Sequence, residues 1–312
     1  MRTFWKDKRV LVTGGTGFLG SHLVPRLEAE GARVFVPRSA EFDLRDRQDV
    51  IRMFDAAGPI DILFHLAAVV GGIGANRARP ADFIAHNLLM NTFVVEYARR
   101  NRVGKFIGVG TVCAYPKYSP VPFVEENLFI GYPEETNAPY GIAKRALLVK
   151  LQAYRQQHGF SGIYLIPTNL YGERDHDDPD TSHVIPALIR KVHEAQANGA
   201  DSVTLWGSGR PSRDFLYAGD CAEALMLAAK RYDGPEPVNL GSGREVPIAG
   251  LFQIIRQIMG YEGRVVWDHS QPDGQPRRCL NSRRALDLLG WQATTSLEDG
   301  LRKTVGWWRE SI

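Results

Sequence analysis

The sequence predicts an α/β protein built on a doubly wound parallel sheet, with a smaller, discontinuous C-terminal domain that binds substrate. Three observations lead there. Short apolar runs alternate with amphipathic helical segments through the first 170 residues, a glycine-rich turn joins the first run to the first helix, and after about residue 170 the pattern loosens before a late helix and strand return. Short strands separated by helices form a parallel sheet covered on both faces.

Val10, Leu11 and Val12 make a β-branched run, Leu19, Leu23 and Leu27 follow at helical spacing, and Arg33-Val34-Phe35-Val36 is the next strand. DVIRMFDAAG reads as a helix, IDILFHLAA as a strand, DFIAHNLLMNTFVVEYARRN as a long helix and KFIGVGTV as a strand. The stretch YGERDHDDPDTSHVIP is polar and turn-rich, as substrate-binding regions are, and PALIRKVHEAQANG is helical. SRDFLYAGDCAEALMLAAKRY and PVNLGSG supply a helix and strand that return to the first domain. The expected division is 1–170 with about 213–241 in one domain, and about 171–212 with 242–312 in the other. Neither an internal repeat nor a low-complexity tract interrupts this order.

The bulk composition excludes several classes. Of 312 residues 44% are hydrophobic and 23% charged, and 38 basic side chains face 35 acidic ones without clustering, so no nucleic-acid surface is expected. No apolar run approaches the roughly 18 residues of a membrane span, and MRTFWKDKRV lacks the features of a signal peptide, so a cytoplasmic location without membrane contact is expected. Cys113, Cys221 and Cys279 are an odd number without metal-ligand spacing, which argues against a disulfide framework and a bound metal.

Gly14-Gly15-Thr16-Gly17-Phe18-Leu19-Gly20 places Gly14, Gly17 and Gly20 at three-residue intervals between strand and helix. This is the Rossmann arrangement: glycine permits the tight turn and close approach of a pyrophosphate, and the helix N-terminus offers free N–H groups. Near the end of the second strand, where an NAD site usually carries a carboxylate, the chain has Pro37-Arg38-Ser39. Arg38 can pair with a 2′-phosphate, which favours NADP(H) over NAD(H); the alternative, an arginine on a solvated loop, stays open. Asp43 and Leu44 are candidates for the adenine, and Leu66, Ala67 and Ala68 for the cofactor's path past the third strand.

Tyr140 and Lys144 stand four residues apart, on one helix face about 6 Å apart along the axis. The cation is expected to draw the phenol's pKa down, and Thr111 at a strand end to hold the oxygen with which the phenol exchanges a proton. With the glycine loop these residues indicate hydride transfer at a carbinol carbon. From TGGTGFLG through HLAA and YGIAK to NLGSG, the chain resembles the extended short-chain dehydrogenase/reductase family. That resemblance implies a nucleotide-sugar substrate and a triad of Thr111, Tyr140 and Lys144.

Sugar-nucleotide dehydratases of that family carry Asp-Glu after the triad hydroxyl, where this chain has Val112-Cys113. The stretches AAVVGGIGAN, ARPADFI, VCAYPK, ETNAPYGIAK, PTNLYGERD, SHVIPALIRK, LWGSGRPSRDFL and PDGQPRR are together similar to the GDP-L-fucose synthases. The resemblance implies C3 and C5 epimerisation of GDP-4-keto-6-deoxy-D-mannose, with Cys113 and His183 exchanging the protons, followed by NADPH-dependent reduction at C4. It further implies cofactor contacts at Thr16, Phe18, Leu19, Pro167, Asn169, Leu170 and His183, and substrate contacts at Asn169, Lys191, Trp206, Arg213, Asp273 and Arg278. Three departures stand out: Thr111 in place of the usual serine, Lys191 in place of an arginine, and the general form of the glycine loop. Competing readings are an NAD(P)-dependent nucleotide-sugar epimerase without net reduction, an epimerase/reductase on a related 4-keto sugar, and a non-catalytic cofactor sensor, which the intact triad argues against. By analogy with relatives, helices 82–100 and 138–156 pair in a homodimer.

Overall fold

The computed structural model describes residues 4–175, 182–271 and 273–311; part of the polar stretch before His183 lies outside them. The first half of the chain alternates: β1 (Arg9–Thr13), α1 (Phe18–Ala29), β2 (Arg33–Phe35), α2 (Arg47–Ala57), β3 (Ile62–His65), the short α3 (Ile73–Ala78), α4 (Pro80–Arg100), β4 (Lys105–Val109), α5 (Ala138–His158) and β5 (Gly162–Pro167). There follow β6 (Asn169–Tyr171), α6 (Val184–Ala197), β7 (Ser202–Trp206), β8 (Ser212–Tyr217), α7 (Ala218–Arg231), β9 (Val238–Leu240), β10 (Glu245–Pro247), α8 (Ile248–Met259), β11 (Arg264–Asp268), β12 (Arg277–Arg278), α9 (Arg283–Leu289) and α10 (Leu297–Ser311).

Six strands form one parallel sheet in the order β2-β1-β3-β4-β5-β9. Its side chains alternate with the period of two that a pleated strand imposes. Leu11, Leu63, Phe106 and Tyr164 share a core with α2, α4 and α5, while Val12, Phe64, Ile107 and Leu165 share another with α1 and α7. Both faces are thus covered, which explains why these strands read as continuous apolar runs. Because β2 and β3 flank β1, the loops leaving β1 and β3 diverge to opposite faces and open a crevice at the carboxyl ends of the strands.

The second layer system holds β8 between β10 and β12, with β6 also paired to β8, and a parallel pair of β7 and β11. Its core joins α6, α8 and α10 through Ile189, Val192, Phe252, Ile255, Leu301 and Trp308. α7, which begins directly after β8, packs back against α1 in the core that Val12, Phe64, Ile107 and Leu165 share. Among the described residues no helix is long and apolar enough to cross a membrane.

Candidate active site

The turn after β1 can be made only by glycine at position 14. Gly14 has φ +74°, and a Cβ there would lie 2.7 Å from the Ala67 backbone nitrogen. The loop therefore rests directly on Leu66-Ala67 at the end of β3, on the rim of the crevice. α1 starts at Phe18 with Gly17 as its N-cap, and neither a capping side chain nor an acidic residue occupies its first turn. Unneutralised N–H groups on a glycine cradle fit the diphosphate of a dinucleotide. Arg38 is exposed, three residues beyond β2. Asp43 is paired with Arg45 at 2.7 Å and the Leu44 side chain is buried in the core, so at this corner only the backbone and the edge of the ion pair face outward. Gly14→Ala is expected to weaken NADPH binding at least tenfold, since a left-handed alanine costs about 1–2 kcal/mol before the clash with Ala67 is counted. Fluorescence titration with NADPH checks this.

Tyr140 and Lys144 both lie on α5, and each is buried. The Tyr140 ring meets Phe83 edge-on at 6.4 Å and packs with Ala75, Ala68 and Cys113. The Lys144 ammonium donates to the Val109 carbonyl oxygen at 2.8 Å and stands 5.8 Å from the Tyr140 ring centroid. The spacing argument therefore holds, but its electrostatic corollary does not. Burial, with a smaller contribution from Cys113, holds the Tyr140 phenol above its ordinary range, because Lys144 is turned toward the β4 backbone and does not touch the hydroxyl.

Burial also pushes the Lys144 ammonium down to about 8 from an ordinary 10.5. Between those values the unfolded chain holds more protons than the folded one, so this group's contribution to stability rises with pH from about 8 to 10.5, and its penalty is complete below 8. The expected result is that Lys144→Met melts a few degrees above the parent protein at pH 7, with the gap closing as pH approaches 10.5. Parallel thermal melts across pH check it; a gap independent of pH counts against a buried ammonium.

Thr111, two residues beyond β4, caps the tight turn 112–114, its Oγ1 accepting the Cys113 N–H at 3.2 Å. Gly141 lets α5 approach this turn: a Cβ there would meet the Cys113 carbonyl oxygen at 2.7 Å. The sequence Tyr-Gly thus seats Cys113 beside Tyr140. The sulfur, half-buried, receives a contact from Arg278 Nη1 at 3.3 Å, and Arg278 Nε donates to Gln275 Oε1 at 2.7 Å. Arg213 belongs to the same cluster. Burial and the like charge of Arg278 push its guanidinium down to about 9, against the opposing influence of Cys113, Glu134 and Asp273, and it remains a cation at neutral pH. Burial would raise the Glu134 carboxyl, yet hydrogen bonds from Thr136 (2.5 Å) and Asn137 (3.0 Å), with the charge of Arg278, hold it below its ordinary value.

His183 is the N-cap of α6, and its Nδ1 lies 3.2 Å from a carboxylate oxygen of the buried Asp175. The chain reaches Asp175 through Arg174, a non-glycine residue at φ +67°, directly after Glu173. Glu173 is fixed at both ends: His22 Nε2 donates to its carbonyl oxygen at 2.9 Å and the Tyr217 hydroxyl to its carboxylate at 2.9 Å. His183 is therefore positioned through contacts separate from those of Cys113. Asn169 donates to the Asp214 carbonyl oxygen at 2.8 Å, following the buried Pro167 and preceding the half-buried Leu170. Lys191 donates to the Thr204 carbonyl oxygen at 2.8 Å and lies 6.0 Å from the Trp206 ring, which is 66% exposed and so no core residue. Asp273 accepts the Ser208 N–H at 2.6 Å and hydroxyl at 2.7 Å.

Asp175, Gln275 and Glu134 were not among the residues expected from sequence. Asp175 and Gln275 fall inside stretches that carried the resemblance, PTNLYGERD and PDGQPRR, and Glu134 directly precedes ETNAPYGIAK; that proximity was the available signal. Among the described residues no group of three or more His, Cys, Asp or Glu side chains could hold a metal ion.

Residues 10–241 match the model of the NAD dependent epimerase/dehydratase family. GDP-L-fucose synthase 1 of Arabidopsis thaliana is 42% identical over 308 residues, covering 98% of this chain and 95% of that protein. The GDP-L-fucose synthase of Escherichia coli (strain K12) is 41% identical over 314 residues, covering 97% of each. The crystal structure of a GDP-L-fucose synthetase from Naegleria fowleri bound to NADP superposes with a TM-score of 0.89 at 30% identity, covering 98% of this chain and 95% of that one.

Proposed function

The chain belongs to the NAD dependent epimerase/dehydratase family and, within it, to the GDP-L-fucose synthases, and we propose that it converts GDP-4-keto-6-deoxy-D-mannose to GDP-L-fucose by epimerising C3 and C5 and reducing C4. The observation that carries the residue assignment is the packing of Cys113 against the buried Tyr140, which puts a proton-exchanging thiol beside a phenol able to serve the neighbouring ketone. NADPH, when bound, supplies the hydride that reaches C4. Gly14, Thr16, Gly17, Phe18, Leu19 and Gly20 would hold its diphosphate, Arg38 its 2′-phosphate, and Lys144 the nicotinamide ribose.

A C–H beside a ketone is acidic because its electron pair delocalises into an enolate, and inversion needs proton removal on one face and delivery on the other. Cys113 serves one face and His183 the other. Asp175 stands against Nδ1 of His183 and fixes the orientation of the ring for the exchange. Thr111 accepts the Cys113 N–H, so its hydroxyl proton is available to the C4 oxygen. Tyr140 then protonates that oxygen. Lys191 and Arg213 face the diphosphate, Trp206 the base, and Asn169 and Asp273 complete the substrate side, with residues 1–170 and 213–241 serving the cofactor and 171–212 and 242–312 the sugar nucleotide. A cytoplasmic homodimer paired through α4 and α5 is part of this reading, supported by the exposed Leu89 and Val149 on those helices.

The test is incubation with GDP-4-keto-6-deoxy-D-mannose and NADPH in deuterated water, following 340 nm absorbance and sugar deuteration together. NADPH loss with deuterium at C3 and C5 is expected. Deuteration without oxidation leaves an epimerase, and silence in both channels makes the sugar wrong.

A further inference from the structure

Arg278 was expected among the substrate contacts, but two of its donor nitrogens are already engaged. The side chain is 7% exposed; its Nε is taken by Gln275 and its Nη1 by the Cys113 sulfur. A guanidinium clamps a phosphate with two parallel donors, along its Nε/Nη2 edge or its Nη1/Nη2 edge. Here each edge has one donor spent inside the protein. Gln275, 3% exposed, fastens the arrangement from its other end, its Nε2 donating to the Lys117 carbonyl oxygen at 2.9 Å. The amide therefore straps the segment that carries Arg278 to the loop that carries Cys113, and the guanidinium cannot swing out without leaving buried polar atoms unpaired.

We propose that Arg278, held by Gln275, stabilises the anionic sulfur of Cys113 whenever the thiol has released its proton, so that its main task is epimerisation and not diphosphate binding. This rests on the reading of Cys113 as a proton-exchanging group. As the carbon-bound proton moves to sulfur, an S–H bond forms, the C–H bond breaks and its electron pair enters the enolate; Arg278 keeps all its protons and stays cationic throughout. The other charged or titratable groups acting on this sulfur are Tyr140 and Arg213, with Glu134 and Asp273 acting in turn on the arginines. A donor cation beside a sulfur is the environment that makes a cysteine reactive.

The test follows alkylation of Cys113 by iodoacetamide against pH, read by peptide mass so that Cys221 and Cys279 are counted separately. In Arg278→Gln the labelling midpoint is expected to move up by about one pH unit, with C3 and C5 exchange at pH 7 slowed about tenfold and KM for the nucleotide sugar little changed. Arg278→Lys should recover part of the shift, and Gln275→Leu, which leaves every charge in place, should show a smaller upward one. An unmoved midpoint in Arg278→Gln overturns the proposal, above all if KM rises instead, since that assigns the arginine to the diphosphate. Should Arg278→Gln lose NADPH binding and so prove misfolded, an unmoved midpoint in Gln275→Leu overturns it equally. Labelling needs no substrate, so a wrong sugar would silence exchange in the parent protein while leaving this result intact.

Discussion

Phenylalanine in place of Tyr140 is expected to slow NADPH oxidation by about 10²–10⁴-fold, the usual worth of a positioned proton donor, while deuterium exchange at C3 and C5 continues nearly untouched. The substitution removes one hydroxyl and keeps the ring. Since that ring is buried edge-on against Phe83 and packed with Ala75, the surroundings of the site should survive. The direction of the phenol's pKa supports a donor role, because burial keeps the proton on oxygen at neutral pH until an alkoxide forms beside it. The readout is the ratio of the two channels, absorbance at 340 nm against deuterium by NMR. Equal loss in both would place Tyr140 before epimerisation and sink the division of labour.

Cys113→Ala should do the reverse to exchange. Incorporation of deuterium at C3 and C5 is expected to fall by about 10²–10⁴-fold, with NADPH affinity preserved because the substitution alters no residue of the glycine loop. A modest stability loss of about 1 kcal/mol should accompany it, as Arg278 loses the partner of one buried donor. Solvent exchange and NADPH titration on the same preparation separate the two effects. Full exchange in the variant would remove the cysteine from the mechanism.

Much of this architecture was legible because it is written in local periods. Alternating strands, the glycine spacing before α1 and the four-residue step from Tyr140 to Lys144 all depend on residues within a few positions of one another, and each takes its expected place. What escaped the sequence depends on distant partners. The phenol's electrostatics follow from Phe83 and Ala75, delivered by α4 and α3. Asp175 becomes meaningful only once Glu173 is anchored by His22 and Tyr217. Arg278 was expected among the substrate contacts, and only tertiary structure reveals that Gln275 has aimed it toward Cys113.

The strap between Lys117 and Gln275 has a consequence for how the enzyme comes into being. It closes a loop of 158 residues, and the contact from Arg278 to Cys113 closes one of 165. Such distant pairings come late in folding, after the local helices and the first strands have formed. During synthesis β1 to β5 emerge well before Gln275 does, so a chain released early would carry the nucleotide cradle but a cysteine without its guanidinium. The thiol's surroundings are completed only when nearly the whole protein has been made.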